Sequence, residues 1–272
     1  MNLKSLIYRI LAYTIFSIIP LQFGCNSERS IKKVDRQICV VLAHPDDETI
    51  ISGTLAMLSS KGCRIAMIYV TSGDGGADET GQGLHGETLA EVREQESQRA
   101  LQAIGIKTSP IFLKYPDSYV SDHVEDIKEA LCNLFKEIEP DVVISFGPDG
   151  ITNHRDHKMT GFATDLAFDL TDSGRLLLHM AHTKSLIPLS ANDMDVSRQA
   201  IDLTVDVSDF TDAKVQCFQA HHTQFPQSAR SAYKVLVNVR KKEEFIIARN
   251  RNAELLIQQC FDLSLHNTNL QE

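Results

Sequence analysis

"QICVVLAHPDDETI", residues 37–50, decides how this chain is read. Seven apolar or neutral residues, Gln37 to Ala43, form a short run of the kind that makes a strand buried on both faces. Directly behind it stand one histidine, one proline and three acids, His44 to Glu48. Charge packed where a buried strand ends needs a partner, and Thr49 then opens a helical pattern over 48–62 that stops at Gly62. A strand followed by a turn and a helix is the first half of a parallel crossover unit.

Working outward, the same alternation repeats. "RIAMIYVTS" (64–72) is a second strand, and 87–105 a one-sided helix carried by Leu89, Val92, Ala100, Leu101 and Ile104 and stopped at Gly105. "PIFLKY" (110–115) is a third strand. Residues 124–139 form a helix with Ile127, Leu131, Leu134, Phe135 and Ile138 on one face, and "DVVISF" (141–146) is a fourth strand. The pattern predicts an α/β fold: a three-layer, Rossmann-like, mostly parallel sheet with helices on both faces. Beyond residue 170 the pattern weakens. "LLLHMAHTKSLIPL" fits strand or helix, 201–209 a strand, 210–225 a helix and 243–250 a late strand. Parallel sheets carry ligands at the carboxyl ends of their strands, so segments 42–49, 72–86, 115–123 and 147–157 are expected along one edge.

Two of those segments carry chemistry. Imidazole and carboxylate are the usual donors to catalytic zinc, and His44 and Asp47 lie three apart, so a turn entering a helix aims both inward. Asp46 then points elsewhere, free to act as a base on activated water. Taken alone, Asp46, Asp47 and Glu48 equally suit a helix N-terminus. In "GPDGITNHRDHKMTG" (147–161), His154 and His157 bracket Asp156. Alone this is also a polar capping loop. Together the two clusters supply two imidazoles, one carboxylate and an open position, the composition of a catalytic metal site.

The pair "AHPDDE" and "HRDH", one behind the first strand and one behind the fourth, resembles the PIG-L/LmbE family of zinc-dependent N-acetylglucosamine deacetylases. The similarity runs over about residues 37–170. "VREQESQRALQAIG" resembles the family's Arg- and Glu-bearing helix, "YPDS" (115–118) its YPDG loop, and "AHHTQ" (220–224) its late His-x-Ser-Gln element. The resemblance implies that His44, Asp47 and His157 bind Zn2+ or another divalent metal, that Asp46 is the general base, and that His154 is a general acid or oxyanion partner. It implies that Arg93 and Asp117 contact sugar hydroxyls, with His221 preferred over His222 at the pocket, while Glu48 and Asp156 support the site from behind, Asp156 or another carboxylate holding the His154 ring. The expected reaction is hydrolysis of an N-acetyl group on an N-acetylglucosamine-type sugar or glycoconjugate. An amidase for another N-acyl group and a non-catalytic glycan-binding lipoprotein are the alternatives. There are departures: Arg155 stands at a frequent proline, Thr152 at a position some members give to tyrosine, His222 and Thr223 at a common Arg-Ser, and Ser118 at a glycine, which asks for negative φ or strain.

The remaining features set the context. Lys4 and Arg9 precede the apolar "ILAYTIFSIIPLQF", a charged-then-apolar order expected of an export signal. "LQFGC" then resembles a lipobox, although Leu21 lies one position further from Cys25 than usual. The expected division is a signal over 1–24, a tether over 25–36 and a catalytic domain over 37–265, exported and membrane-attached through lipidated Cys25, with a cleaved secretory signal and secretion, or an uncleaved anchor, as the alternatives. Net charge is −9, with both charges of the first 24 residues positive. An acidic body argues against a nucleic-acid partner. Cys39, Cys63, Cys132, Cys217 and Cys260 show no CxxC spacing, so a zinc finger is not expected. The glycine-rich 71–87 lacks a phosphate-loop ending and reads as a pocket rim with His85 exposed. His179 and His182, aimed at no recognised loop, read as core or edge residues.

Overall fold

A computed structural model describes residues 34–181 and 201–262 of the chain. The expected leader, most of the tether, Cys25 and His182 lie outside these described residues, as do positions 263–265. Among the described residues no helix is long and apolar enough to cross a membrane.

Among the described residues seven strands make one sheet in the order β3-β2-β1-β4-β5-β7-β6. They are β1 (Gln37–Leu42), β2 (Arg64–Thr71), β3 (Ile111–Tyr115), β4 (Val142–Phe146), β5 (Leu176–Ala181), β6 (Leu203–Asp206) and β7 (Lys242–Asn250). The first five pair in parallel, while β7 runs antiparallel to both β5 and β6. Among the described residues the α-helices of eight residues or more are α1 (Ser52–Ser60), α2 (Gly86–Ala103), α3 (Val124–Ile138), α4 (Arg155–Leu170), α5 (Thr211–Ala220), α6 (Gln227–Leu236) and α7 (Glu254–Phe261).

Period-two alternation splits β1 between two cores. Ile38, Val40 and Leu42 pack with Leu55 and Leu58 of α1, Leu101 of α2, Cys217 of α5 and Leu256 of α7. Cys39 and Val41 face the other way, against Ile127, Leu131 and Phe135 of α3 and Ala163 and Phe168 of α4. The three α3 side chains are fully enclosed. Burial stabilises each by roughly 1.5–3 kcal/mol, which outweighs the propensity differences of at most about 1 kcal/mol per residue that Val124 or Cys132 could impose.

The strand order reverses at β1, which lies between β2 and β4. A crevice opens at such a switch point, outside the carboxyl ends of the strands. The loop after β1, which carries His44, and the segment after β4 leading into α4, whose first turn carries His157, therefore flank it. The helix expected over 48–62 divides: Asp47–Ile50 is a 3-10 turn, and α1 starts at Ser52. The ambiguous stretch after 170 becomes strand over Leu176–Ala181. The helix expected to reach 225 stops at Ala220, and α4, α6 and α7 are additions to the sequence reading.

Candidate metal and active site

The β4–α4 loop owes its position to a missing side chain. A Cβ on Gly161 would lie 2.4 Å from the Phe146 carbonyl oxygen, so glycine lets α4 cross the end of β4 in backbone contact. His157 is one turn earlier on the same helix face. Its ring stacks on Phe146, centroids 4.2 Å apart and planes 13° from parallel. The connecting loop is strained: Gly150, Ile151 and Asn153 all take positive φ, 64°, 60° and 62°. For the β-branched Ile151 this is an outlier, of a kind that costs about 1–3 kcal/mol and clusters at functional sites.

The loop after β1 is built by its own acids. Asp47 Oδ2 accepts the His44 backbone N–H at 2.7 Å, and Glu48 Oε2 accepts that of Asp46 at 3.1 Å. Asp46 itself sits at φ 115°, ψ −21°. The two loops meet, with the His44 and His157 ring centroids 5.2 Å apart.

Each imidazole has one nitrogen committed to an acceptor. His44 Nε2 lies 3.3 Å from Asp117 Oδ1 and 3.4 Å from Asp156 Oδ2. His157 Nδ1 lies 3.0 Å from the Gly150 carbonyl and 3.2 Å from Thr152 Oγ1. With protons directed at these acceptors, a neutral His44 and His157 turn the lone pairs of Nδ1 and Nε2 toward each other, and those two atoms lie 3.3 Å apart. The Asp47 carboxylate closes the triangle, Oδ1 3.1 Å from His157 Nε2 and Oδ2 3.6 Å from His44 Nδ1. Facing lone pairs beside a buried carboxylate repel unless a cation lies among them. Tetrahedral ligands with bonds of about 2.0–2.2 Å are spaced about 3.3–3.6 Å apart, so these donors fit a divalent ion. An acceptor behind each ligating imidazole is also what metal-bound histidines have. His154 offers a ring nitrogen within 4.8 Å of those of His44 and His157. However, its Nδ1 already accepts the Asp156 N–H at 3.2 Å, capping α4, and the residue is exposed. Asp47, buried and closer, is the better third donor.

Electrostatics follows this geometry. Burial opposes charge on Asp47, but His157 and His44 hold its carboxyl well below the usual range. Burial pushes Asp46 up to about 6, against the pull of Arg93. Partial desolvation, then the His44 and His157 rings, holds His154 below the ordinary histidine value. With Nδ1 an acceptor, the neutral His154 ring carries its proton on Nε2.

The site floors a cavity of about 390 Å³, within the usual span of about 300–1,000 Å³ for small-molecule sites. Its lining includes Asp46, Arg93, Asp117, Thr152, His154 and Phe225. Arg93 is nearly buried and ties the surrounding loops together: Nη1 donates to Gly73 O at 2.9 Å, Nη2 to Pro45 O at 2.8 Å, and Nη2 is 3.5 Å from Asp46 Oδ2. Ser118 does carry strain, with φ 73°, while its N–H donates to Asp156 Oδ2 at 2.6 Å.

Two expectations are corrected. His221 does not reach the pocket: it is completely enclosed and bonded to Glu48, because α5 ends at Ala220 and turns it inward. Asp156 does not hold the His154 ring; its carboxylate turns to His44 and Ser118, leaving only its backbone N–H for His154. His85 is exposed as expected, and His179 is buried on Asp165 at 2.8 Å. Sequence reasoning missed Phe225 and Glu96. Glu96 accepts the backbone N–H of His222 at 2.9 Å and of Thr223 at 3.0 Å, fastening the 221–224 turn. The available signal was its place with Arg93 on the buried stripe of α2, where a charge needs a partner.

Comparison with known proteins bears on the family and the fold. Residues 39–168 match the profile of the family described as PIG-L, GlcNAc-PI de-N-acetylase. Over 242 residues the chain is 27% identical to the 1D-myo-inositol 2-acetamido-2-deoxy-alpha-D-glucopyranoside deacetylase 2 of Catenulispora acidiphila, covering 70% of this chain and 80% of the relative. The N,N'-diacetylchitobiose deacetylase structure from Pyrococcus horikoshii shares the fold at 21% identity and TM-score 0.62, covering 91% of this chain and 93% of that one. A 4-carboxy-2-hydroxymuconate hydratase from Pseudomonas putida also shares it, at 16% identity and TM-score 0.63, covering 80% and 98%. One fold thus hosts different reactions, and the reaction has to be argued from the site.

Proposed function

We propose, for a chain that carries a PIG-L domain over residues 39–168, that it is a zinc-dependent hydrolase removing the N-acetyl group from an N-acetylglucosamine-type sugar or glycoconjugate. The products are acetate and a free amine. The observation that carries the reading is the convergence of His44 Nδ1, His157 Nε2 and the Asp47 carboxylate at 3.1–3.6 Å on the floor of a cavity that Asp46 also lines.

In this reading His44, Asp47 and His157 hold the ion. A divalent ion held there supplies Lewis acidity toward water and toward the amide carbonyl. Asp46 accepts the proton of the attacking water at its carboxylate, a role suited to a carboxyl pushed up toward neutrality. His154 Nε2–H donates to the developing oxyanion, a preorganised donor of the kind that often lowers the barrier more than any other single effect. The leaving amine takes its proton from Asp46 or through His154. Arg93 holds the loops that bear Asp46 and meets substrate only along its cavity edge. Asp117, shared between the cavity and His44, orders a substrate hydroxyl and a ligand together.

The test is acetate release from a panel of N-acetylated amino sugars and conjugates, with and without chelator. Metal-dependent release from at least one sugar supports the reading, and release confined to non-sugar N-acyl compounds contradicts the substrate class. The sequence order of Lys4, Arg9, apolar run and Cys25 supports the further proposal that the chain is exported and lipid-anchored.

A further inference from the structure

Three buried polar side chains are used by no step above. Glu48, Tyr69 and His221 are all fully enclosed, at 0% exposure. They come from the turn after β1, from β2, and from the end of α5, and they meet at one carboxylate. Glu48 Oε1 is hydrogen-bonded to His221 Nε2. Glu48 Oε2 accepts the Tyr69 hydroxyl at 2.9 Å and the Asp46 backbone N–H at 3.1 Å. Burying a carboxylate beside two other acids is costly even when it is paired, and well-packed apolar residues fill such a space at no greater cost. Packing therefore gives no reason for the group.

Its bond to the Asp46 backbone does. Asp46 sits at φ 115°, a conformation that side-chain-bearing residues rarely adopt, and such a backbone persists only where its surroundings over-determine it. Glu48 folds back two residues to take the Asp46 N–H. Tyr69 and His221, from two different elements, keep that carboxylate from rotating. On the other side, Arg93 Nη2 holds the Pro45 carbonyl. Asp47 takes a different anchor, the His44 N–H.

We infer that Glu48 is a positioning residue: with its carboxylate locked by His221 and Tyr69, it holds Asp46 in the left-handed conformation that presents the Asp46 carboxylate to the cavity. The inference rests on Asp46 being the base in the proposed function.

The experiment is a double-mutant cycle. Glu48→Gln and Tyr69→Phe are made alone and in an Asp46→Asn background, with kcat, KM and zinc affinity measured for each. Glu48→Gln lowers kcat by about 10- to 100-fold, the usual range for groups behind a catalytic site, with KM and zinc affinity within about twofold. Tyr69→Phe keeps the ring and loses one of three donors, so it lowers kcat less, by about three- to tenfold. In the Asp46→Asn background neither substitution lowers the rate further, because both act through the removed group. A full loss repeated in that background, or a loss that tracks zinc affinity, overturns the inference. If Glu48→Gln fails to fold, the Tyr69→Phe cycle carries the same test. If Asp46→Asn itself turns over at the wild-type rate, the base assignment fails separately. Crystal structures then decide the positioning role: Asp46 leaving positive φ in either variant supports it, and an unchanged Asp46 overturns it.

Discussion

Gly161→Ala tests whether helix packing sets the metal geometry. The new Cβ would start 2.4 Å from the Phe146 carbonyl oxygen, whereas ordinary contact begins at 3.4 Å and contacts under 3.0 Å essentially never occur. The obstructing atom is backbone, so α4 must retreat by about 0.6–1.0 Å, an overpacking that costs roughly 1–3 kcal/mol of stability. His157 lies one turn away on the same face, and its Nε2 moves with the helix. Metal sites tolerate deviations of only about 0.2 Å in ligand distance. Displacement near 1 Å is of the size that costs about 10²-fold in a preorganised site. Gly161→Ala is therefore expected to fold with a lowered Tm and to lose about 10²-fold in zinc affinity, read by competition with a chromophoric chelator. A folded Gly161→Ala chain with wild-type zinc affinity would refute the argument that the α4–β4 contact places His157.

Two further outcomes follow from the same geometry, and one from the sequence order around Cys25. Asp46→Ala keeps bound zinc and loses about 10²–10⁴-fold in kcat, the usual worth of a general base; near wild-type turnover would remove Asp46 from that role. Ser118→Gly relieves a residue at φ 73° and stabilises the fold by about 1 kcal/mol, or a rise in Tm of about 2–4 °C; an unchanged or lower Tm would show no strain at that position. Cys25→Ser moves the chain from the membrane to the soluble fraction of expressing cells, and an unaltered distribution would exclude lipid attachment at that cysteine.

The sheet was legible because its strands are short apolar runs between one-sided helices. The proposed metal donors could be singled out because His44, Asp47 and His157 stand where parallel strands end, and that position follows from strand order rather than side-chain detail. The supporting groups were less accessible. Nothing in "DETI" tells whether Glu48 faces water or core; that depends on Tyr69 and His221 arriving from elements 21 and 173 positions away. The error on His221 has the same origin, since one residue decides whether a histidine at a helix end faces the pocket or the interior. Asp156 was assigned to the neighbouring His154, because sequence proximity suggested it, whereas the fold brings His44 within 3.4 Å. The helix expected over 48–62 is interrupted at Ile51, which leaves helical geometry at φ −121° and ψ 21°, a local break that no propensity scale anticipates.

The most direct measurement is metal stoichiometry by elemental analysis, made on the purified chain and on its His44→Ala and His157→Ala forms, each with its circular dichroism spectrum. One zinc per chain in the parent, lost from both folded variants, is the result predicted by a shared site built from loops more than a hundred residues apart. A folded parent that binds no divalent ion, or folded variants that keep it at full occupancy, would contradict the account.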